Sequence, residues 1–390
     1  MRRPVLTGLR LDVHRSILDI NPDHWERWFG VDYPFLSWSF LAALERAQCT
    51  SAQNGWEPFH LILWEQGDNA EEEQVIAVAP GFLKSHSYGE YVFDWAWADA
   101  WQRTGRSYYP KLVSAAPFTP ATGPRLYLNQ SASDPAAKLL EAICQMSQDQ
   151  EFSGWHVLFE EPELAQALKA LGLHERQTCQ FHWFNRNYQS FDDFLATFTS
   201  RKRKNLRKER ANIEAQGLTL ETLEGDEITP NLWSFFHYCY QVTYAKRSGH
   251  GGYLTREFFI EECQKLARYT VMVVAHDENT PVAAALYFRS ADTLYGRYWG
   301  CLREYEHLHF EACYYRGIEY CIAHGLEHFD PGAQGEHKIQ RGFEPVLTHS
   351  SHWVADPSFT EAVAGFCREE CNHVAHYQRD AQQLLPFKAD

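Results

Sequence analysis

No apolar run in this chain approaches the ~20 residues that a helix needs to cross a bilayer. The first residues, MRRPVLTGLRLDVHRSI, carry basic side chains but no unbroken apolar core, so they do not read as a secretory signal. Positive charge is short as well. Lys and Arg number 36 against 51 Asp and Glu, and the net charge of −15 argues against a general nucleic-acid binder and sets DNA aside as a partner. Ten cysteines scattered through 390 residues lack the density of a disulfide framework, and most lie inside apolar patterns. They read as reduced, buried thiols of a cytoplasmic protein. Cys367, Cys371, His373 and His376 cluster near the C-terminus, but on a helix His373 lies about 200° round from Cys371, on the opposite face. No metal site is expected there. No serine elbow, P-loop or paired dinucleotide glycines appear.

What the chain does have is length, aromatic side chains and one basic island. At 390 residues it can build two domains, each with its own core. Its 13 Trp, 20 Tyr and 25 Phe are enough to line clefts as well as to fill cores. Residues 201–210 hold seven basic side chains and one acid, which leaves the remainder more acidic than the total implies. Arg203, Arg207 and Arg210 share one helical face, with Lys204 and Lys208 in a neighbouring row. Clustered guanidiniums grip phosphate bidentately; the alternative is a solvated helical face. A basic island on an acidic protein suits one phosphate-bearing ligand better than a long polyanion.

Strand and helix signals alternate along the chain. Two short helices are expected over 23–49, broken at Pro34. Strands at 60–64 and 75–82 flank an acidic turn, EQGDNAEEE, and 84–101 is ambiguous. Extended segments at 112–116 and 126–128 bracket PFTPATGP, too rich in proline and glycine for regular structure. There Thr119, Thr122 and Arg125, beside Tyr109 and Lys111, make either a candidate acceptor cleft or a turn-rich connector. A helix over 133–148, a strand at 156–159, a helix over 162–171 and a strand at 179–185 complete an α/β grammar ending near residue 188. The second half repeats it, with helices over 191–216, 231–244 and 255–267, a meander at 270–275, 282–288 and 294–299, and a terminal helix over 358–385. Domains are therefore expected at 1–190 and 191–390.

Residues 307–343, HLHFEACYYRGIEYCIAHGLEHFDPGAQGEHKIQRGF, carry the densest chemistry. Phe310, Tyr314, Gly317 and Cys321 recur at helical steps up to His324, and Gly325 supplies the helix stop. A short buried strand ends at Asp330. A polar loop follows with Glu336, His337 and Lys338 beside Gly332 and Gly335, closed by Arg341, Gly342 and Phe343. It reads as a candidate site or as a solvated surface loop.

The order helix, Phe-Asp strand, glycine loop and terminal Phe resembles the last third of the FemAB-like families. These are bacterial transferases of two acyltransferase (GNAT-type) domains that attach amino acids to peptidoglycan precursors. RKNLRKERANIEAQG at 203–217 is similar to the basic helix that opens the second domain there, and GWEPFHL, YYPKL and TPATGPRL extend the likeness over most of the chain. Two departures stand out. The family's strand often ends Phe-Asp-Phe-Gly-Gly, whereas Asp330 precedes Pro331-Gly332-Ala333, and its Phe-Lys before the terminal Phe is Ile339-Gln340 here. Lys338 and Arg341 are candidate substitutes for the family's cation.

The resemblance implies a mixed-sheet α/β (α+β) fold of two tandem GNAT-type domains, and N-acyl transfer to an amine of a cell-wall precursor or another small acceptor. Acetyl-CoA-dependent members of that fold carry Arg/Gln-x-x-Gly-x-Gly/Ala ahead of the crossover helix to cradle pyrophosphate. Neither TGPRLYLNQSASDP nor GCLREYEHLHFE has it. The donor expected is aminoacyl-tRNA, with acyl-CoA as the alternative and no tightly bound cofactor; a non-catalytic binding module of the same fold is the third reading. Aminolysis of an ester needs a base and an oxyanion site. His337 is the candidate base, with Glu336 to orient it and Asp330 beside them. Lys338, Arg341, Arg203, Arg207, Arg210, Lys204, Lys111, Thr119, Thr122 and Arg125 are candidate substrate contacts.

Overall fold

The computed structural model describes residues 8–66, 73–249, 251–333 and 335–388. Most of the acidic turn expected at 65–73 lies outside the described residues, as do the first seven residues. The chain divides into two compact units, and not at a single cut. One comprises Met1–Thr178 with Leu347–Ala375, the other Cys179–Val346 with His376–Asp390. The expected boundary near 190 is thus corrected: residues 347–375 return to the first unit.

The first unit contains β1 (Leu9–His14), β2 (Trp56–Pro58), β3 (His60–Gln66), β4 (Glu73–Ala79), β5 (Phe82–Lys84), β6 (Lys111–Ser114), β7 (Tyr127–Leu128) and β8 (Gly154–Glu160). Its helices are α1 (Pro22–Phe29), α2 (Trp38–Arg46), α3 (Trp95–Arg103), α4 (Pro135–Gln150) and α5 (Pro162–Ala170). Strands β1, β3, β4 and β7 pair antiparallel in that order. β2, β5 and β6 also pair antiparallel, whereas β6 and β8 run parallel. A parallel pair needs a crossover, and α4 supplies it. Pro135 opens that helix where its missing N–H costs nothing. Leu139, Ala142, Ile143 and Met146, at three- and four-residue steps, bury against Leu61, Leu63, Ile76 and Trp155.

The chain leaves β8 through α5 and enters β9 (His174–Phe184), whose far end belongs to the second unit. There α6 (Phe191–Ala196) and α7 (Ser200–Ala215) precede β10 (Leu218–Glu224), which sequence patterning did not single out. α8 (Pro230–Ser248) follows, and 255–267 is not the regular helix expected but a π turn, Phe258–Glu262, running into a 3-10 turn, Cys263–Leu266. β10, β11 (Thr270–Asp277), β12 (Thr280–Arg289) and β13 (Thr293–Cys301) form the expected meander with one added edge strand. The crossover to the parallel strand β14 (His328–Asp330) is helical from Leu308 to His324. It comprises α9 (Leu308–Phe310), a π turn at Glu311–Tyr315 and α10 (Arg316–His324), and stops at Gly325 with φ 67°, as the sequence predicts. Gly317 sits where a Cβ would meet the Phe329 ring at 2.5 Å, so only glycine lets α10 lie this close to β14.

The last strand, β15 (Glu344–Val354), explains the divided first unit. The strand that follows β8 in the chain, β9, pairs with β14, and the strand that follows β14, β15, pairs with β8. The start of α11 (Pro357–Gln382) then packs Phe359, Val363 and Cys367 against Trp97, Trp101 and Tyr108. Among the described residues no helix is long and apolar enough to cross a membrane.

Candidate active site

The parallel ladder between β13 and β14 is three residues long: Thr293 faces His328, Leu294 faces Phe329 and Tyr295 faces Asp330. β14 then stops, because Pro331 has no N–H to continue the ladder, while β13 runs on to Cys301 beside β12. The two strands part here as a hydrogen-bonded ladder and form a fork, although Pro331 and Gly332 still lie close to Gly296 of β13. The far wall of the fork is the loop after Asp330, which returns through a 3-10 turn, Glu336–Arg341. Gly335 adopts φ 113°, and a Cβ there would sit 2.3 Å from the His337 ring. Glycine is what allows that imidazole to fold back over the loop.

Three of the expected site residues, Asp330, His337 and Lys338, converge on this fork, and Glu336 does not. Asp330 is buried; one carboxylate oxygen accepts the Gly332 N–H at 2.8 Å, and the other has no hydrogen-bond partner. His182 approaches the first oxygen at 3.6 Å. Lys338 is buried too and donates to the Gly332 carbonyl. Burial pushes its ammonium down to about 8, with Asp330 pulling the other way. His337 is exposed, its Nε2 2.9 Å from the Tyr314 hydroxyl. Partial desolvation and the cations Arg341, Lys338 and Arg247 hold its pKa below the usual histidine value, which favours neutral imidazole at neutral pH. Glu336 faces outward and accepts from Tyr377 at 2.7 Å. It does not orient His337.

Arg341 is placed differently from the sequence reading. Its guanidinium is buried, stacks 3.4 Å from the Phe310 ring centroid, and bonds Glu209 at 2.9 and 3.0 Å, the Tyr315 hydroxyl at 3.0 Å and the His337 carbonyl at 2.8 Å. It braces the loop from inside. Arg210 likewise points inward, pairing with Glu311 at 2.8 Å and Glu319 at 2.6 Å over the Phe191 ring. Arg207 makes one exposed pair, with Asp192 at 2.8 Å. Arg203 is half-buried and Lys204 exposed, and among the described residues neither has an ion pair. Of the basic residues expected to contact substrate on α7, Arg203, Lys204 and Arg207 reach solvent and Arg210 is tied inward.

The candidates of the first unit are interior. Lys111 is buried between Glu90 at 2.7 Å, Ser87 at 2.9 Å and Asp94. Arg125, 0 % exposed, gives its N–H groups to the carbonyls of Leu158 at 2.6 Å, Pro124 at 2.8 Å and Ala121 at 2.5 Å. Thr119 is buried and bonds the Pro117 carbonyl at 3.0 Å; Thr122 is half-buried. Thr119 and Arg125 spend their donors on carbonyls of the PFTPATGP segment itself, and Lys111 spends its own on Ser87, Glu90 and Asp94.

Sequence reasoning missed the residues that frame His337. Tyr314 entered only as one position of a helical stripe, and His309 was given no role. His309 lies 5.3 Å from the Tyr314 ring, 5.5 Å from Trp299 and 6.1 Å from His337, and burial pushes it down to about 3. It is a neutral wall of the fork. Among the described residues no three His, Cys, Asp or Glu side chains come together in a way that could hold a metal ion.

The family model for FemAB-like proteins, described as peptidoglycan biosynthesis/recognition, matches residues 16–389. The crystal structure of FemX superposes with a TM-score of 0.50 at 12% identity, covering 91% of this chain and 100% of that one. A conserved protein of unknown function from Bacteroides thetaiotaomicron gives 0.51 at 10% identity, covering 89% and 100%. A tandem GNAT protein from the clavulanic acid biosynthesis pathway gives 0.47 at 10% identity, covering 90% and 99%. The likeness to the first two is one of fold. No curated protein matches the sequence.

Proposed function

The chain belongs to the FemAB-like family, and from that premise we propose that it is an acyltransferase that moves an aminoacyl group from a tRNA ester to an amine of a cell-wall precursor. The observation that carries this reading is the loop that leaves the end of the β13–β14 ladder in the second unit, with an exposed neutral imidazole and a buried ammonium on adjacent residues beside the buried Asp330. In the reaction the acceptor nitrogen attacks the ester carbonyl, a C–N bond forms, and the C–O bond to the terminal ribose breaks. His337 takes the proton the amine must lose and returns it to the departing ribose oxygen, which balances the step. The charge that gathers on the carbonyl oxygen is stabilised by the field of Lys338. Asp330 supports that ammonium. Arg203, Lys204 and Arg207 meet ligand phosphate on α7, where charge-assisted bonds reward guanidinium clusters.

The test is label transfer. The protein is incubated with tRNA charged with radiolabelled amino acids and a nucleotide-linked muramyl peptide, and the peptide is analysed by mass. Label in the peptide that requires intact aminoacyl ester supports the reading. Transfer from acetyl-CoA with no response to charged tRNA would replace the donor, and binding of the precursor without transfer from either would make the protein a binding module.

A further inference from the structure

Glu209 is the one acid in the basic run 201–210, and its neighbours hide what it does. Its carboxylate accepts from the Tyr315 hydroxyl and, through both oxygens, from Arg341 at 2.9 and 3.0 Å. Another nitrogen of the same guanidinium donates to the His337 carbonyl at 2.8 Å. The next residue on α7, Arg210, grips Glu311 at 2.8 Å, at the start of the π turn whose fourth residue is Tyr314. Tyr314 in turn holds His337 Nε2 at 2.9 Å. The contacts close a ring: α7 to Arg341, to the His337 backbone, to the His337 imidazole, to Tyr314, to Glu311, and back to α7. One extra residue in a helical turn rotates the residues after it, and such turns are found at functional sites. Here the wide turn presents Glu311 to α7, Tyr314 to His337 and Tyr315 to Glu209.

We propose that Glu209 is a positioning residue, which through Arg341 fixes His337 in the fork and ties its placement to the same helix that bears the exposed basic face. Arg341 is too buried to be held by solvent, with 7% of its side chain exposed against 18% for Glu209. Without Glu209 the guanidinium keeps its desolvation cost and loses its counter-charge. The His337 carbonyl then loses a well-placed donor. A displacement near 1 Å in a reacting group costs about a hundredfold in rate. The kinetic arm of this assignment rests on the acyl-transfer reading; the spectroscopic arm does not.

The experiment compares wild type with Glu209→Gln, Glu209→Asp and Arg341→Lys, following kcat, KM and the pH titration of the His337 ring nitrogens by NMR. Arg341, Lys338 and Arg247 are the cations acting on that ring, and His309 and Tyr314 flank it. Glu209→Gln should lower kcat about a hundredfold with KM within about threefold. It should also move the His337 titration to lower pH, because the Arg341 charge is no longer balanced. Glu209→Asp keeps the charge and should restore the titration and most of kcat. Arg341→Lys carries the test if Glu209→Gln does not fold, since one ammonium cannot reproduce the fork geometry that reaches both carboxylate and carbonyl. A folded Glu209→Gln or Arg341→Lys variant with kcat within about twofold of wild type and an unmoved His337 titration would overturn the assignment. A moved titration in a protein that transfers nothing from any donor would uphold the positioning role and overturn the reaction reading.

Discussion

The parallel pair β6–β8 of the first unit and the pair β13–β14 of the second are built alike, and they end differently. Each has an antiparallel strand on either side, each is joined by a crossover helix, and each carries a buried acid at the end of its second strand, Glu160 in one and Asp330 in the other. In the first unit the chain returns to plug the fork. Gly123 bridges to Glu160 and donates to the Phe159 carbonyl at 3.2 Å, and Arg125 fills the space behind with its N–H groups turned to carbonyls. Glu160 has one partner, Ser351 at 2.6 Å, and burial pushes it up to about 8, so it is a neutral acid at neutral pH. In the second unit the ladder ends at Asp330, Pro331 and Gly332 pass close by Gly296 of β13 without pairing to it, and Asp330 faces Lys338 and His182. The same topology yields a structural joint in one place and a candidate active site in the other. What separates them is where the cation spends its donors: Arg125 gives its N–H groups to backbone carbonyls, whereas Lys338 sits in the loop that carries His337.

The largest effect expected from that contrast is on rate. His337→Gln should cut transfer by about 10²–10⁴, the span a positioned acid–base group supplies. Glu160→Gln in the plugged fork should leave it within about twofold. Single-turnover assays with charged tRNA decide this, and a His337→Gln variant at near wild-type speed would give the proton to water instead.

The second effect is on stability, and its sign follows from Glu160. Folding raises this acid from its ordinary 4.5 to about 8. Below pH 4.5 both folded and unfolded chains hold the proton and the contribution is complete. As pH rises from there to about 8 the unfolded chain releases it first, so stability falls by roughly 1.4 kcal/mol per pH unit. Glu160→Gln removes that slope. Urea midpoints at pH 5, 6.5 and 8 should show the variant gaining on wild type throughout, and parallel lines would mean that Glu160 ionises inside the fold.

The third concerns Arg125. Arg125→Met strips donors from the Leu158, Pro124 and Ala121 carbonyls, at ~1 kcal/mol or more for each buried acceptor left bare, hence about 3 kcal/mol in denaturant unfolding. Weaker precursor binding in a variant of undiminished stability would instead return Arg125 to the acceptor cleft.

The plug was hard to read in the sequence, and the reason is physical. Composition shows that 117–124 is irregular and that Arg125 is a cation; it does not show which way a guanidinium points. The strands of the meander and the helix ending at Gly325 were legible because their apolar periods match their geometry. β15 was not. Several of its buried positions are polar, Thr348, Ser350, Ser351 and His352, each bonded to a partner far away in sequence, such as Thr178, Phe159, Glu160 or His156. A buried strand written in hydroxyls and imidazoles has no hydrophobic alternation to find. The fork of the second unit was half legible. Asp330, His337 and Lys338 lie close in sequence and meet in space, whereas Glu209 and Tyr314 reach the loop only through long-range contacts.

The smallest effect tests what the ammonium beside Asp330 does. Burial lowers Lys338 from 10.5 to about 8, so the folded chain gives up that proton while the unfolded chain still holds it. Stability from this group therefore rises between pH 8 and 10.5, opposite in sign to Glu160, and is lost as pH falls back through 8. Activity should move the other way. If the ammonium stabilises charge on the carbonyl oxygen, the rate falls about tenfold for each pH unit above 8, while the acid limb, set by His337, lies below 6.5. Lys338→Arg keeps its charge over this whole range. The variant should be slower at pH 7, because a planar guanidinium does not fit the Gly332 carbonyl as an ammonium does, yet lose its alkaline limb. Rate profiles from pH 5.5 to 10 decide it, and an alkaline limb that persists unchanged in Lys338→Arg would assign that titration to another group and leave Lys338 a purely structural cation.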